Sequence, residues 1–460
     1  MKSLLRRAGK SSIPIHLVDT TTLVPWLATQ PKRVAAWVKS VGYRPDNGTH
    51  CLVPGKEGEL ALVIASVTNQ AEPWGYASLP SSLPKQHSYQ IAGRQSEQQA
   101  NAAALGWALG CYRFSRYKKK KDDFAALAWP SQCDQVLVAA LAEGIGICRD
   151  LINTPASDLG PEELTEAGRA LAHQHKAKAK VITGQALLRA NFPMVHAVGR
   201  ASSREPRLLD LRWGNPKHPK VTLVGKGVCF DSGGLDIKPA NDMKLMKKDM
   251  GGAALLLGLA HVLMSLKLPI CLRVLIPAVE NSVSGDAMRP MDILASRKGL
   301  SVEIGNTDAE GRLILADALT EASEEATDLI IDAATLTGAA RVALGTALPA
   351  LFSNDDQVAE ALLEAGKKVG DPLWRLPLHD AYRRGLDSKI AEINNITSDS
   401  YAGAITAALF LREFVNKRHR WMHIDTMAYN LEARPGRPVG GEAFGLRALT
   451  EMLRVRYAPR

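Results

Sequence analysis

The chain has 460 residues, 46% of them apolar and 23% charged, and its 57 basic and 47 acidic side chains leave a net charge of +10. That length holds a large core and two or three domains, and the ordinary composition fits a soluble globular protein. The cysteines (Cys51, Cys111, Cys133, Cys148, Cys229 and Cys271) lack paired spacing, which excludes a disulfide frame and points to reduced thiols in the cytoplasm.

The basic start Met1–Arg7 is followed by no apolar h-region, so no secretory signal is expected. Residues 1–130 read as a smaller N-terminal α/β domain, with apolar runs at Ile13–Val18 and Leu60–Ser66 and a helical stretch over Glu97–Arg113. Lys118–Lys121 is a run of like charges, read as a solvated loop, and Trp129-Pro130 marks a boundary. Residues 131–153 carry a helical apolar pattern (Val136, Leu137, Ala140, Leu141, Ile145, Cys148) that predicts a connecting helix. Residues 154–460 form the larger domain. Strands are expected at Val181–Thr183, Leu208–Trp213, Val221–Val224, Leu272–Ala278, Leu329–Ala334 and Met422–Thr426. Helices are expected from Pro161 and over Gly252–Leu266, Leu313–Glu325, Gln357–Val369 and Ile405–Val415. The alternation predicts an α/β fold, with a mainly parallel sheet flanked by helices in this C-terminal domain. The apolar stretch Ala253–Met264 is too short to span a bilayer and contains His261, so no membrane contact is expected.

Two clusters concentrate the chemistry. Asp308, Glu310 and Arg312 alternate within Asn306-Thr-Asp-Ala-Glu-Gly-Arg-Leu313, which in an extended segment would point them the same way. Two carboxylates that close need a compensating cation, and a divalent metal serves better than Arg312. The second cluster follows the strand at Val221–Val224 and contains Lys226, Asp231, Lys238 and Asp249 among turn-forming glycines. Asp231, Asp249, Asp308 and Glu310 form an oxygen-rich, histidine-free set that suits Mg, Mn or Zn. Four carboxylates are a natural number for two metals that share bridging ligands. Lys226 and Thr335 come just after strand ends, where open α/β sheets gather their ligand sites.

These segments resemble the leucyl aminopeptidase (cytosol aminopeptidase) family. The resemblance rests on Gly225-Lys-Gly-Val-Cys-Phe-Asp-Ser-Gly-Gly234, Ile237-Lys-Pro239, Met246-Lys-Lys-Asp-Met-Gly-Gly-Ala253 and the full match at Asn306–Leu313. Ala334–Ala339, Ala402–Leu411 and Trp421-Met-His-Ile-Asp425 extend it. It is strong over roughly residues 140–450 and weak over the first 130. It implies that residues 154–460 are a catalytic dimetal aminopeptidase domain. One metal would be held by Asp231, Asp308 and Glu310, the other by Lys226, Asp231, Asp249 and Glu310. Lys238 and Arg312 would be catalytic, with Arg312 binding a bicarbonate ion that shuttles a proton. Met246, Asn306, Thr335 and Gly338 would line the first subsite or grip the substrate backbone, Met246 favouring leucine-like side chains. The family also implies a homohexamer, peptide substrates with a free amino terminus, and Mn or Zn ahead of Mg or Co. Asp236, where a small polar residue is usual, and Lys247-Lys248 depart from the family pattern.

The physics of these roles stands apart from the resemblance. A lysine binds a metal only as a neutral amine, far from its usual pKa of about 10.4. A charged Lys238 can hydrogen-bond the scissile carbonyl as negative charge develops. A two-metal-bound hydroxide would be the nucleophile, and the guanidinium of Arg312 suits a planar anion.

Blander readings compete. Asp308–Arg312 alone could be an exposed turn at a helix start. Ser232 lacks a histidine partner and reads as a turn residue. Gly225-Lys-Gly227 lacks phosphate-loop spacing. His423 reads as a hydrogen-bonded strand residue, and no His-Glu-x-x-His helix occurs. Cys229 lies inside the site segment, so oxidation or heavy metals are expected to inhibit. Two other functions stay open at this stage: a dimetal phosphoesterase, and a nucleic-acid-binding protein that uses the +10 charge, with secondary peptidase activity.

Overall fold

The computed structural model describes residues 4–7, 9, 11–118 and 123–458. Most of the basic run (Lys119–Lys121) and the first residues of the basic start (Met1–Ser3) lie outside the described residues. The chain forms two compact units, Met1–Glu143 with Glu432–Val439, and Gly144–Leu431 with Gly440–Arg460. The chain passes from the first to the second within the helix Gln135–Asn153.

The first unit is an α/β layer. Its sheet runs Leu5–Arg6, Ala126–Ala128, Ser88–Ile91, Ile13–Val18, Leu60–Ser66, His50–Pro54, and only the last pair is antiparallel. The helix Glu97–Gly110 begins at a capping box, Ser96 with Gln99, which satisfies two of the amides left free at a helix start. The alanine-rich helix lies close to its neighbours: a Cβ on Gly106 would sit 2.0 Å from the Pro73 carbonyl oxygen.

The second unit is built on a larger sheet. Its strands run in the order Trp374–Arg375, Ala350–Ser353, Arg420–Asp425, Leu329–Ala334, Lys220–Gly225, Cys271–Asn281, Arg207–Gly214, Lys178–Thr183. The four central strands, Arg420–Asp425 to Cys271–Asn281, are mutually parallel, and antiparallel pairs occur towards both edges. Their residues are buried almost without interruption, as expected where helices cover both faces. One face carries Pro161–Gln174, Gly251–Ser265, Asp356–Val369 and Leu446–Tyr457; the other carries Pro193–Gly199, Glu310–Glu324 and Gly403–Glu413. Between this second face and the sheet lies a core that includes Leu223's neighbour Val224, Leu275, Ile314, Leu315, Phe410 and Trp421.

The segment read as turns after Val221–Val224 is partly a strand. Gly227–Asp231 pairs in parallel with the end of Cys271–Asn281, Asp231 opposite Asn281, with an irregularity between Val228 and Phe230. No helix among the described residues is long and apolar enough to cross a membrane.

Candidate metal centre and active site

The carboxyl ends of the central strands carry the site. Gly225 stands opposite Ala333, so Lys226 and Thr335 leave the sheet side by side, and Lys226 N–H donates to the Ala333 carbonyl at 3.0 Å. The helix Gly251–Ser265 then starts directly above the sheet. A Cβ on Gly252 would lie 2.0 Å from the Ala333 oxygen, so a glycine is required for this approach. Gly233 (φ 90°) and Gly234 (φ 69°) turn the chain back after Asp231, which brings Lys238 over it.

The four predicted carboxylates and both lysines converge. Ligand atoms of Asp231, Asp308 and Glu310 lie within 4.8 Å of one another. Lys226 Nζ is 2.7 Å from Asp249 Oδ2, 3.0 Å from Glu310 Oε1 and 3.2 Å from the Thr335 carbonyl. Lys238 Nζ is 2.8 Å from Asp231 Oδ2 and also touches Asp308 Oδ1. Asp249 Oδ2, Asp308 Oδ1 and Glu310 Oε1 lie against these ammonium groups and have no other hydrogen-bond partner among the described residues. The lysines therefore supply countercharge without saturating the oxygens.

The electrostatics follow from crowding. Burial pushes the Glu310 carboxyl up to about 8; Asp231 adds repulsion, and Lys226 only partly offsets it. Burial, then Asp231, raises Asp308 to about 6 against the pull of Lys238. Asp249 goes the other way: burial alone would raise it, but the charges of Lys226 and Lys248 and the Thr335 hydrogen bond bring it below its ordinary value. Burial would lower Lys226, but Asp249, Glu310 and Asp231 outweigh it and hold the ammonium well above its usual range. Lys238 is raised in the same way, burial being outweighed chiefly by Asp231.

The extended reading of residues 308–312 is wrong. Asp308 lies in a turn, and Glu310 is the first residue of the helix Glu310–Glu324. Helical residues two apart diverge, so Glu310 and Arg312 do not share a face. Glu310 reaches the cluster because the helix starts there, and its carboxylate sits at the end where the macrodipole favours an anion. Arg312 is buried, donates from Nη1 to the Asn395 carbonyl at 2.5 Å, and has an unpartnered Nε. Burial lowers its pKa to about 10 against the pull of Glu310 and Asp425.

The remaining predicted residues fall around this centre. Thr335 Oγ1 donates to Asp249 Oδ1 at 2.8 Å, so its hydroxyl orients a carboxylate of the cluster. Asn306 Oδ1 accepts from Asp308 N–H at 2.7 Å and shapes the turn. Met246 is buried, and Gly338 opens the helix Gly338–Leu344 behind the N-cap Thr337. Thr337 N–H and Oγ1 donate to Asp425 Oδ2 at 3.1 and 2.6 Å. Ser232 Oγ donates to the Asn281 carbonyl at 2.7 Å, as a turn residue would. His423 is a buried strand residue whose Nδ1 pairs with Asp332 Oδ1 at 2.5 Å. Cys229 is buried in its strand, and burial raises its thiol well above its ordinary pKa. Burial and the raised pKa both disfavour the exposed thiolate on which oxidation or heavy-metal attack depends, against the expected sensitivity.

The sequence reading missed the neutral residues that brace the cluster. Asn281 Nδ2 donates to Asp231 Oδ1 at 2.9 Å, and Asn395 Oδ1 accepts from Gly305 N–H at 2.8 Å. Both lie far along the chain from the motifs they support. The one available signal for Asn281 was its place at the end of a long apolar strand.

The donor set fits divalent metal: clustered buried carboxylates whose oxygens are faced by two lysines. Comparison with known proteins agrees. Residues 146–450 match the model of the cytosol aminopeptidase family catalytic domain, and residues 13–130 match that of the M17 aminopeptidase N-terminal domain. A probable cytosol aminopeptidase of Roseiflexus castenholzii is 40% identical over 382 residues, covering 79% of this chain and 78% of the relative. The crystal structure of the cytosol aminopeptidase from Coxiella burnetii superposes with a TM-score of 0.95 at 48% identity, covering 98% of this chain and 99% of that one. The bottromycin maturation enzyme BotP, solved in complex with Mn, superposes with a TM-score of 0.86 at 32% identity, covering 97% of this chain and 100% of that one. The chain belongs to the cytosol aminopeptidase family, M17, a family of metallo-exopeptidases.

Proposed function

We propose that the protein is a two-metal aminopeptidase that removes unblocked amino-terminal residues from peptides, leucine-like residues first. The observation that carries this reading is the convergence of Asp231, Asp308 and Glu310 within 4.8 Å, with Lys226 and Asp249 alongside. Of the reactions open to a carboxylate-bridged dimetal centre, family membership selects amide hydrolysis over phosphoester hydrolysis. No observation favours nucleic-acid binding as the main task.

Asp231, Asp308 and Glu310 would hold one ion, and Lys226, Asp231, Asp249 and Glu310 the other, Asp231 and Glu310 bridging. When bound, the ions supply a water acidified towards neutral pH and a Lewis acid for the scissile carbonyl. Lys226 would hold its ion only as the neutral amine, and the ion would supply the positive charge that the ammonium now sets beside Asp249 and Glu310. Lys238 stays charged and donates to the carbonyl oxygen as negative charge grows there. Arg312, whose Nη1 donates to the Asn395 carbonyl, has a buried Nε without a partner among the described residues and would hold a planar anion; bicarbonate held there would supply a proton shuttle. Met246, Asn306, Thr335 and Gly338 would line the first subsite, and the apolar, adaptable Met246 suits leucine or methionine.

Mn or Zn is the proposed metal; the Mn complex of BotP supports the first. The homohexamer and the cytoplasmic location are carried by the family resemblance. The test is hydrolysis of leucine p-nitroanilide by chelator-stripped protein with manganese or zinc restored, alongside elemental analysis. Restored turnover with two ions per chain is expected. N-acetylated substrate should resist, because the free amine is a ligand to metal; its ready cleavage, or turnover with no metal, would end the proposal.

A further inference from the structure

Thr307 carries no charge and belongs to no assigned role, yet it is fully buried and every polar group it has is engaged. Its hydroxyl donates to the Gly233 carbonyl at 2.6 Å and accepts from Asp236 N–H at 2.8 Å. Its own N–H donates to Asp236 Oδ2 at 2.8 Å. Its carbonyl accepts from Asn281 Nδ2 at 3.1 Å, and the same amide nitrogen donates to Asp231 Oδ1 at 2.9 Å.

These bonds join two stretches far apart in sequence. One carries Asp231 and Lys238; the other carries Asp308, next to Thr307 itself. The contact surfaces leave little slack. A Cβ on Gly234 would lie 3.0 Å from Thr307 Oγ1, and one on Gly233 would lie 2.4 Å from the Asp236 carbonyl oxygen. Asp236 completes a reciprocal pair of hydrogen bonds with Thr307, so the departure from a small polar residue has a structural use.

We infer that Thr307, with Asp236 as its partner, is a positioning residue that sets the spacing of Asp231, Asp308 and Lys238, and through it the affinity of the site for divalent metal. The inference rests on the two-metal reading above. Groups that orient metal ligands typically account for about 10–100-fold in metal affinity. Thr307→Val keeps shape and volume but removes the hydroxyl, leaving the Gly233 carbonyl and Asp236 N–H unpaired. Thr307→Ser keeps all the bonds.

Manganese binding to the chelator-stripped full chain, measured by titration calorimetry, decides the matter, with the melting temperature and leucine p-nitroanilide turnover read on the same samples. Thr307→Val is expected to weaken manganese binding by about 10–100-fold, and Thr307→Ser to restore it to within a few-fold. Manganese binding by Thr307→Val equal to wild type would overturn the inference, as would equal loss in both variants. Should Thr307→Val fail to fold, the exposed Asp236 supplies the second test. Asp236→Ala is expected to weaken binding by about tenfold, and Asp236→Asn, which keeps an acceptor for Thr307 N–H, to restore it; no difference between the two overturns the inference. A wild-type chain that takes up no manganese overturns the two-metal reading and this inference with it, whereas wild-type uptake with unchanged variants overturns this inference alone.

Discussion

At its first turn the helix Glu310–Glu324 sets Glu310 among Asp231, Asp249 and Lys226; at its last turn it sets Glu321 and Glu324 among Arg273 and Arg297. The two ends handle charge differently. At the last turn each carboxylate meets an arginine or lysine. Arg273 is 2.8 Å from Asp210 and 2.5 Å from Glu321, while Glu325 lies 2.6 Å from both Arg212 and Lys220. The Arg212 hydrogen bond, with Lys220 and Arg273 behind it, lowers Glu325 to about 2. At the first turn, burial and carboxylate neighbours push Glu310 up to about 8. One cluster pairs its charges within the chain; the other crowds buried carboxylates so that Glu310 favours the proton, a charge that a bound cation would replace. The macrodipole favours Glu310 and opposes Glu321 and Glu324, so the basic residues at the last turn also neutralise that end.

The largest effect should come from removing the excess charge. Glu310→Gln preserves shape but deletes the oxygen anion proposed to bridge two ions, so hydrolysis of leucine p-nitroanilide should fall to background and bound metal should drop. In chelator, its melting temperature should equal or exceed that of wild type, because a crowded buried carboxylate has gone. Retained turnover with two bound ions would mean that Glu310 bridges nothing. Lys238→Ala comes next: kcat should fall by about 10²–10³-fold, the loss typical of one donor to a developing oxyanion. Elemental analysis should still find two ions, and metal loss would make Lys238 a ligand instead.

Gly311→Ala probes how the helix start and the site share space. The added Cβ would lie 2.4 Å from Lys226 Cε. Alanine favours the helix by about 1 kcal/mol over glycine, so the fold should hold while Lys226 is pushed aside. Metal affinity should weaken by about 10–100-fold, measured by manganese titration with the melting temperature as control. Unchanged affinity would show that Lys226 has room to move and that its reported contacts do not fix it.

How much of this was legible in the sequence differs between the same two regions. Leu329–Ala334 was bounded correctly because a strand buried on both faces is an unbroken apolar run. The convergence of the charged residues was legible because four carboxylates and two lysines near glycine turns have few other uses. Their local geometry was not. Alternating charges at Asp308, Glu310 and Arg312 mimic a strand, and the start of the helix at Glu310 is settled by tertiary packing that periodicity cannot register. Ala350–Ser353 is too short to show a period. Asn281, Asn395 and Thr307 are neutral, so even where position gave a signal, as for Asn281 at a strand end and Thr307 beside Asp308, nothing in their chemistry marked them before folding brought them behind the carboxylates. The matched ion pairs at the far end of the helix were invisible for a related reason: Asp210, Arg273 and Glu321 sit in elements read only for their apolar residues.

The smallest effects should come from that balanced end, and they complete the contrast. Arg273 is 4% exposed, while Asp210, Glu321 and Glu325 are 19%, 18% and 32% exposed. Arg273→Ala removes one cation from these carboxylates, but Arg212, Lys220 and Arg297 still face them and water reaches them, so the cost should be about 2–3 kcal/mol rather than the ~3–5 of a fully enclosed pair. Arg212, 45% exposed, should cost under about 1 kcal/mol when replaced by alanine. Neither change should alter kcat or manganese affinity, because no bond runs from these arginines to the ligands. Denaturant melts beside leucine p-nitroanilide kinetics give both readings. A fall in metal affinity in Arg273→Ala at unchanged helix content would show that the Glu310–Glu324 helix transmits strain along its length. The two charge clusters would then be one coupled system, and the stability built at one end would be part of how the other holds its metal.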